Sequence, residues 1–202
     1  MMKIAVLATL DSKSEAAAYM CEVLQGLGVE PWLMDLSLMP HDKPGADIGG
    51  EALAKKAGAT WAGIGEMERA AAGETMIKGG TQALVEAYQA GEVSGAIGVG
   101  GANGCTVFCG MMRALPALFP KVMVTPVAAT AAVQWYVAES DIAMYPTISD
   151  IVMNRITKAV MENACYAVNG MAEAWEKRKS EQADEPPLIG VSSFGNLQKC
   201  VD

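Results

Sequence analysis

A chain of 202 residues, 51% of them apolar, is long enough to bury a full core and suits one domain, or one domain plus a fragment. Its formal charge of −8 and pI near 4.7 argue against a nucleic-acid footprint, which would need a basic face. No apolar run reaches the ~18 residues of a membrane span, and the chain enters a strand-like segment at Lys3, so neither a leader nor a membrane anchor is expected.

In chain order, strand and helix signals alternate. Lys3 to Ala8 reads as a strand. A helix is expected from about Ser12 to Leu27, with Ala16, Tyr19, Met20, Val23, Leu24 and Leu27 on one side and Gly28 as its C-terminal cap. Pro31 to Leu36 is the next strand, followed by a polar loop from Ser37 to Gly50. Glu51–Lys56 and Met67–Ala90 read as helices, the second interrupted at Gly79-Gly80. An apolar run from Gly95 to Val99 reads as a buried strand, and Phe108, Met111, Met112 and Leu115 mark one face of the helix after it. Pro116 and Pro120 bracket the turn into a strand at Lys121–Thr125. Pro126 to Val133 carries no clear pattern and leads through Tyr136-Val137 to Ser140-Asp141-Ile142. A long helix is expected from Ser149-Asp150, with Ile151, Ile156, Val160, Ala164, Ala167, Met171 and Trp175 at helical spacing. Lys177 to Lys179 complement its C-terminal dipole.

Strands separated by helices imply βαβ crossovers. The expected fold is therefore α/β: a largely parallel sheet with helices on both faces, a Rossmann-like or flavodoxin-like three-layer sandwich over residues 1–180. Residues 181–187 read as a linker and 188–202 as the first strand of a truncated or split second domain. Ligands of such sheets bind beyond the carboxyl ends of the strands.

The most informative stretch is Gly98-Val99-Gly100-Gly101-Ala102-Asn103-Gly104-Cys105-Thr106. A strand that stops in glycines and turns into a helix leaves several N–H groups pointing at one spot, with the positive end of the helix dipole behind them. That spot suits a phosphate or carboxylate. A tight turn that uses glycine only for packing explains the same residues. The fit to a dinucleotide fingerprint is poor, because Asn103 stands in place of the third glycine and no acid follows near residues 118–122.

Thr9-Leu10-Asp11-Ser12-Lys13 closes the first strand. Ser12 and Glu15 form an S-x-x-E capping box, which leaves Asp11 and Lys13 either solvated or facing a ligand. Asp150 or Ser149 serves as a cap for the long helix. Five scattered cysteines, Cys21, Cys105, Cys109, Cys165 and Cys200, with no CxxC pair, suggest buried thiols in a reducing cytoplasm. Cys105 and Cys109 share a helical face and read as core, although the helix start could lower the pKa of Cys105. His41 is the one histidine and reads as solvated, so neither a His-based metal site nor a catalytic triad assembles around it.

Several segments together resemble one family. Thr9–Lys13 resembles a GTLDTK segment, and Gly98–Gly101 with Gly104 a GxGGSGGT loop. Arg113–Pro116, Tyr136-Val137 with Ser140–Ile142, and Asp150-Ile151 with Asn154–Ile156 match in order. Over residues 3–175 the chain resembles the N-terminal domain of the tomato mosaic virus resistance protein-like ATP-binding family, whose members are largely uncharacterised microbial proteins. Leu188–Val201 resembles the opening of that family's second domain. The resemblance implies a site for Mg-ATP or another small phosphate-bearing ligand at Thr9, Asp11, Ser12, Lys13, Gly100, Gly101, Ala102, Asn103, Gly104, Cys105, Thr106 and Asp141. It also implies a partner, either a companion chain carrying the second domain or a second copy. Ala102, Asn103 and Cys105 replace the family's serine, glycine and threonine. A second reading is therefore a non-catalytic interaction module with a degenerate nucleotide site.

Overall fold

The computed structural model of the protein describes residues 1–39, 41 and 45–181. Five strands form one sheet: β1 (Lys3–Ala8), β2 (Glu30–Asp35), β3 (Gly95–Val99), β4 (Lys121–Val124) and β5 (Ala143–Tyr145). Their order is β2-β1-β3-β4-β5, and every pairing is parallel. The helices are α1 (Leu10–Gly26), α2 (Gly50–Lys56), α3 (Trp61–Glu66), α4 (Arg69–Gln89), α5 (Ala102–Met112), α6 (Val133–Val137) and α7 (Arg155–Glu181), with a 3₁₀ turn at Pro126–Ala129. This is the expected α/β three-layer sandwich.

Strand alternation builds the two cores. Ala5, Leu7, Ala96 and Met123 face one side and pack with α2 to α5. Ile4, Val6, Ala8, Ile97, Val99, Val122 and Val124 face the other and pack with α1 and α7. The central strands are buried on both faces, as parallel sheets require, and so read as continuous apolar runs. Pro31 is tolerated because β2 is an edge strand, and an isolated bridge between Met34 and Ile48 extends the pairing beyond it.

Several expected boundaries move, each for a local reason. Helix α1 starts at Leu10 with Thr9 as its N-cap, and the Ser12/Glu15 capping box does not form. Ser12 Oγ instead pairs with Thr9 Oγ1 at 3.1 Å. Lys13 sits at φ −127°, ψ 20°, a kink separating the first turn from the rest of α1. Gly28 (φ 77°) does end the helix, with its own N–H and that of Val29 returning to Gln25 and Leu24.

Helix α4 runs through Gly79 and Gly80 without a break. Those glycines admit a crossing rather than a stop: a Cβ on Gly79 would lie 2.0 Å from the carbonyl oxygen of Leu53 in α2. Helix α7 begins at Arg155 rather than at Ser149-Asp150. Asn154 accepts from the N–H groups of Ile156 (2.8 Å) and Thr157 (3.0 Å) and so caps it. Its buried stripe is Met161, Ala164, Cys165, Val168 and Ala172, one step away from the face the sequence suggests. Helix α3, helix α6 and strand β5 lie in segments too short for periodicity to show. The linker at 181–187 and the strand at 188–202 fall, apart from Glu181, outside the described residues.

Candidate functional site

The chain leaving β1 turns into α1 on one face of the sheet, and the chain leaving β3 turns into α5 on the other. Because β1 and β3 are neighbours, their exits diverge and open a crevice at the carboxyl edge of the sheet. A cleft of about 930 Å³ lies there. Its first wall is Thr9, Asp11, Ser12 and Lys13, and its second is Gly100 to Gly104 with Thr106 and Val107. The third is largely apolar: Leu36, Leu38 and Met39 after β2, then Ile64, Met67, Ala72 and Ile77 from α3 and α4. Arg69 and Glu74 project from the same part of α4.

The two polar walls differ in what they offer an anion. At α1 the helix start is already filled from within. The buried Asp35 carboxylate at the end of β2 accepts from the N–H of Leu10 (3.0 Å). It also accepts from the N–H and hydroxyl of Ser37 (3.0 and 2.6 Å). The Ser37 hydroxyl in turn accepts from the N–H of Asp11 at 3.1 Å. This network ties the Thr9–Lys13 wall to the loop that carries Leu36 and Leu38. An acid at a helix N-terminus also complements its dipole.

At α5 the position is open. Gly100 donates to Val124 and Cys105 to Gly101, whereas the N–H groups of Gly101, Ala102, Asn103 and Gly104 have no acceptor among the described residues. No side chain caps this helix. Packing fixes some of the loop's glycines and not others. A Cβ on Gly100 would lie 2.9 Å from Gly104 Cα, and one on Gly104 would lie 3.2 Å from the Phe108 ring. Gly101 has φ −76° and nothing within 4 Å of where a Cβ would stand, so the fold does not require glycine there. A bare backbone facing a cleft is what close approach to a ligand needs.

Of the twelve residues singled out in the sequence, ten line this one cleft: Thr9, Asp11, Ser12, Lys13, Gly100 to Gly104 and Thr106. Two do not. The Cys105 side chain is fully buried and its thiol donates to Thr125 Oγ1 at 3.1 Å, because the fourth residue of α5 faces the sheet. A hydrogen bond from Cys109 pulls the Cys105 thiol below the ordinary value against the effect of burial, and the same bond pushes Cys109 up. Burial shields Cys105 from reagents. Half-buried Cys21 is the more accessible thiol, but burial pushes its pKa up to about 11.

Asp141 is at the opposite edge. It precedes β5, and in a parallel sheet residues preceding strands lie at the amino edge, away from the cleft. There it accepts from Lys121 Nζ (2.6 Å) and the N–H of Leu118 (2.6 Å), and Lys121 also donates to the Pro116 carbonyl. Burial alone would raise the Asp141 pKa. The bonds from Lys121 and Leu118 outweigh it and hold the carboxyl below its ordinary range.

His41 is not simply solvated, since its Nε2 lies 2.7 Å from Asp35 Oδ2. It lines a smaller cavity of about 550 Å³ with Trp61 and Lys55. Sequence reasoning missed Asp35, Arg69 and the apolar third wall. The signal for Asp35 was a strand ending in Asp with Ser two residues on. For the third wall there was none, because its residues come from three separate elements. No group of three or more His, Cys, Asp or Glu that could hold a metal occurs among the described residues. Among the described residues no helix is long and apolar enough to cross a membrane.

Comparison with known proteins follows the same boundaries. The N-terminal domain of an uncharacterised protein family (UPF0261) matches residues 2–177. A UPF0261 protein of Clostridium tetani is 31% identical over 202 residues, covering 99% of this chain and 49% of that protein. One from Mesorhizobium japonicum is 32% identical over 206 residues, covering 100% and 49%. The ToMV resistance protein Tm-1 of Solanum lycopersicum is 31% identical over 113 residues, 54% of this chain but 15% of that protein. The chain thus spans about half the length of the bacterial relatives it matches. With the family match running across the whole five-stranded sheet, the chain belongs to the uncharacterised protein family UPF0261 and carries its N-terminal domain.

Proposed function

We propose that the cleft between β1 and β3 binds a nucleotide, with Mg-ATP the first candidate, or another phosphorylated small molecule. The observation that carries this reading is the set of unsatisfied N–H groups from Gly101 to Gly104, opening onto a 930 Å³ cleft that also holds Lys13. Four amides at a helix start, with the dipole behind them and a lysine lining the same cleft, form an anion cradle that needs no side-chain hydroxyl. The substitution of Ala102 and Cys105 for hydroxyl residues therefore removes contacts without removing the cradle. The apolar wall of Leu36, Leu38 and Met39 suits the uncharged part of such a ligand. Lys13 would hold phosphate oxygens, and Asp11 would face a metal-bound water or a ribose hydroxyl. The resemblance of Thr9–Lys13 and Gly98–Gly104 to an ATP-binding family supports the same assignment.

The chain's relatives are about twice its length, which supports a role as half of a two-domain or two-chain assembly. Its partner would be a companion chain or a second copy, and the scattered thiols favour a reducing, cytoplasmic setting.

The test is the melting temperature with and without Mg-ATP, Mg-ADP and a panel of phosphorylated metabolites. A ligand at 100 times its Kd stabilises by about 2.7 kcal/mol. For a domain of this size that corresponds to a rise of roughly 5–10 °C. No shift with any member of the panel rejects the proposal.

A further inference from the structure

The third wall of the cleft contains two glycines that the fold does not use. Gly65 lies in α3 and Gly73 in α4, both line the cleft, and neither has any atom within 4 Å of where a Cβ would stand. Glycine inside a helix costs stability relative to alanine, and here no close packing offsets that cost. Gly79 and Gly80, on the same helix, show the contrast: a Cβ at either would collide with Leu53, Leu36 or Met111. Gly170 in α7 also has open space around it, so open space alone decides nothing. What distinguishes Gly65 and Gly73 is that they converge on one cleft, with Gly101 in the opposite wall.

Arg69 lies four residues before Gly73, so the two share a face of α4. Its guanidinium has no partner among the described residues. The missing side chain at Gly73 opens a slot beside a planar, five-donor cation, the geometry that carboxylates and phosphates match in a bidentate way. The same cleft is also lined by apolar side chains, Leu36, Ile64 and Ile77 among them.

We propose that the cleft has a second anion subsite, formed by Arg69 over Gly73, so that its ligand carries an acidic group at each end of an uncharged middle. One end is a phosphate on the Gly101–Gly104 amides. The other is a carboxylate or second phosphate on Arg69. The inference rests on the phosphate reading of the glycine loop and adds the class of ligand.

The probes are ω-phosphonocarboxylates of increasing chain length, the α,ω-bisphosphonates of the same lengths, and the alkylphosphonates that lack the second acid, titrated by calorimetry. One length of two-ended probe is expected to bind at least tenfold tighter than its one-ended counterpart. The better of the carboxylate and phosphonate series identifies the second group. Arg69→Met, which keeps the apolar stem, is expected to abolish that advantage and leave the alkylphosphonate unchanged. Gly73→Leu should do the same by filling the slot, with the melting temperature maintained or raised as proof of folding. Equal affinity for one- and two-ended probes, or an advantage that survives Arg69→Met, overturns the second subsite alone. If no phosphonate binds at any length, the phosphate reading falls and this one with it.

Discussion

Two glycines six residues apart on α4 are expected to respond to the same substitution with opposite signs. At Gly73, alanine adds a methyl group in open space and removes the glycine penalty of a helix interior. The expected gain is about 0.5–1 kcal/mol, a rise in melting temperature of roughly 1–4 °C for a domain of this size. At Gly79 the same methyl would lie 2.0 Å from Leu53 O, 2.8 Å from Leu53 C and 3.4 Å from Ala57 Cβ. The first two are backbone atoms of α2, so no rotamer relieves them and the two helices must separate. Overpacking of this kind costs about 1–3 kcal/mol or more. Set against the propensity gain, it leaves Gly79→Ala destabilised by about 1–2 kcal/mol. Urea unfolding followed by circular dichroism reads both variants, since a change in midpoint at constant slope is a change in stability. A Gly73→Ala variant destabilised by more than about 0.5 kcal/mol, or a neutral Gly79→Ala, would refute the reasoning. In the first case the fold, not the ligand, would be what keeps glycine at position 73.

Asp35→Ala should orphan the buried N–H groups of Leu10 and Ser37, at about 1–3 kcal/mol each. A loss of about 4 kcal/mol is expected in the same unfolding experiment, and a much smaller one for Asp35→Asn, because the Leu10 and Ser37 donors all bond Oδ1, which the amide oxygen can replace, and only the His41 contact at Oδ2 is disturbed; a loss below about 1 kcal/mol for the alanine variant would remove Asp35 as the tie between β2 and α1. Asp141 has a folded pKa below its unfolded value because Lys121 and Leu118 outweigh burial. Its contribution is therefore fully present above the unfolded value of about 3.9 and is lost as pH falls through the folded one. The stability gap between wild type and Asp141→Asn should thus be about 1–3 kcal/mol near neutral pH, less than for a fully buried pair because the carboxylate is part-exposed. It should shrink in acid below about pH 4; a gap independent of pH would contradict the assignment.

The parts of the fold that were legible in the sequence are those where burial and periodicity agree. Strand β3 could be bounded from Gly95 to Val99 because a strand covered on both faces has no polar residue to blur it. Helix α5 could be oriented because Phe108, Met111 and Met112 face the core. The rest was obscured by competition among local partners. Ser12 and Glu15 spell a capping box, yet Asp35, some twenty residues on, supplies the acceptor at that helix start. No local pattern reports a contact made across the sheet. Ser149-Asp150 spells a helix start, but Asn154 caps the helix one turn later. Glycine pairs suggested a break at Gly79-Gly80 because sequence alone does not distinguish a glycine that ends a helix from one that lets another helix approach.

The candidate site divides along the same lines. Ten of its predicted residues converge because each follows a strand, and in a parallel sheet all strands end at one edge. Asp141 was misplaced for the same reason read in reverse: it precedes its strand. Cys105 was misplaced because a loop residue and the first inward-facing residue of the next helix look alike when only one position separates them. Arg69 and Gly73 belong to a helix whose cleft-facing side is set by how α4 packs on α2 and α5, which no local signal records.

The central claim is that an anionic group sits on the open amides at the start of α5. The most direct measurement is the ¹H–¹⁵N amide spectrum during titration with Mg-ATP, with inorganic phosphate as a second titrant. The account predicts the largest, saturable shifts at Gly101, Ala102, Asn103 and Gly104, with smaller ones at Lys13, and none at Leu118 or Lys121 on the opposite edge. Saturable shifts that leave residues 101–104 unmoved, or no shifts with either titrant, would contradict it.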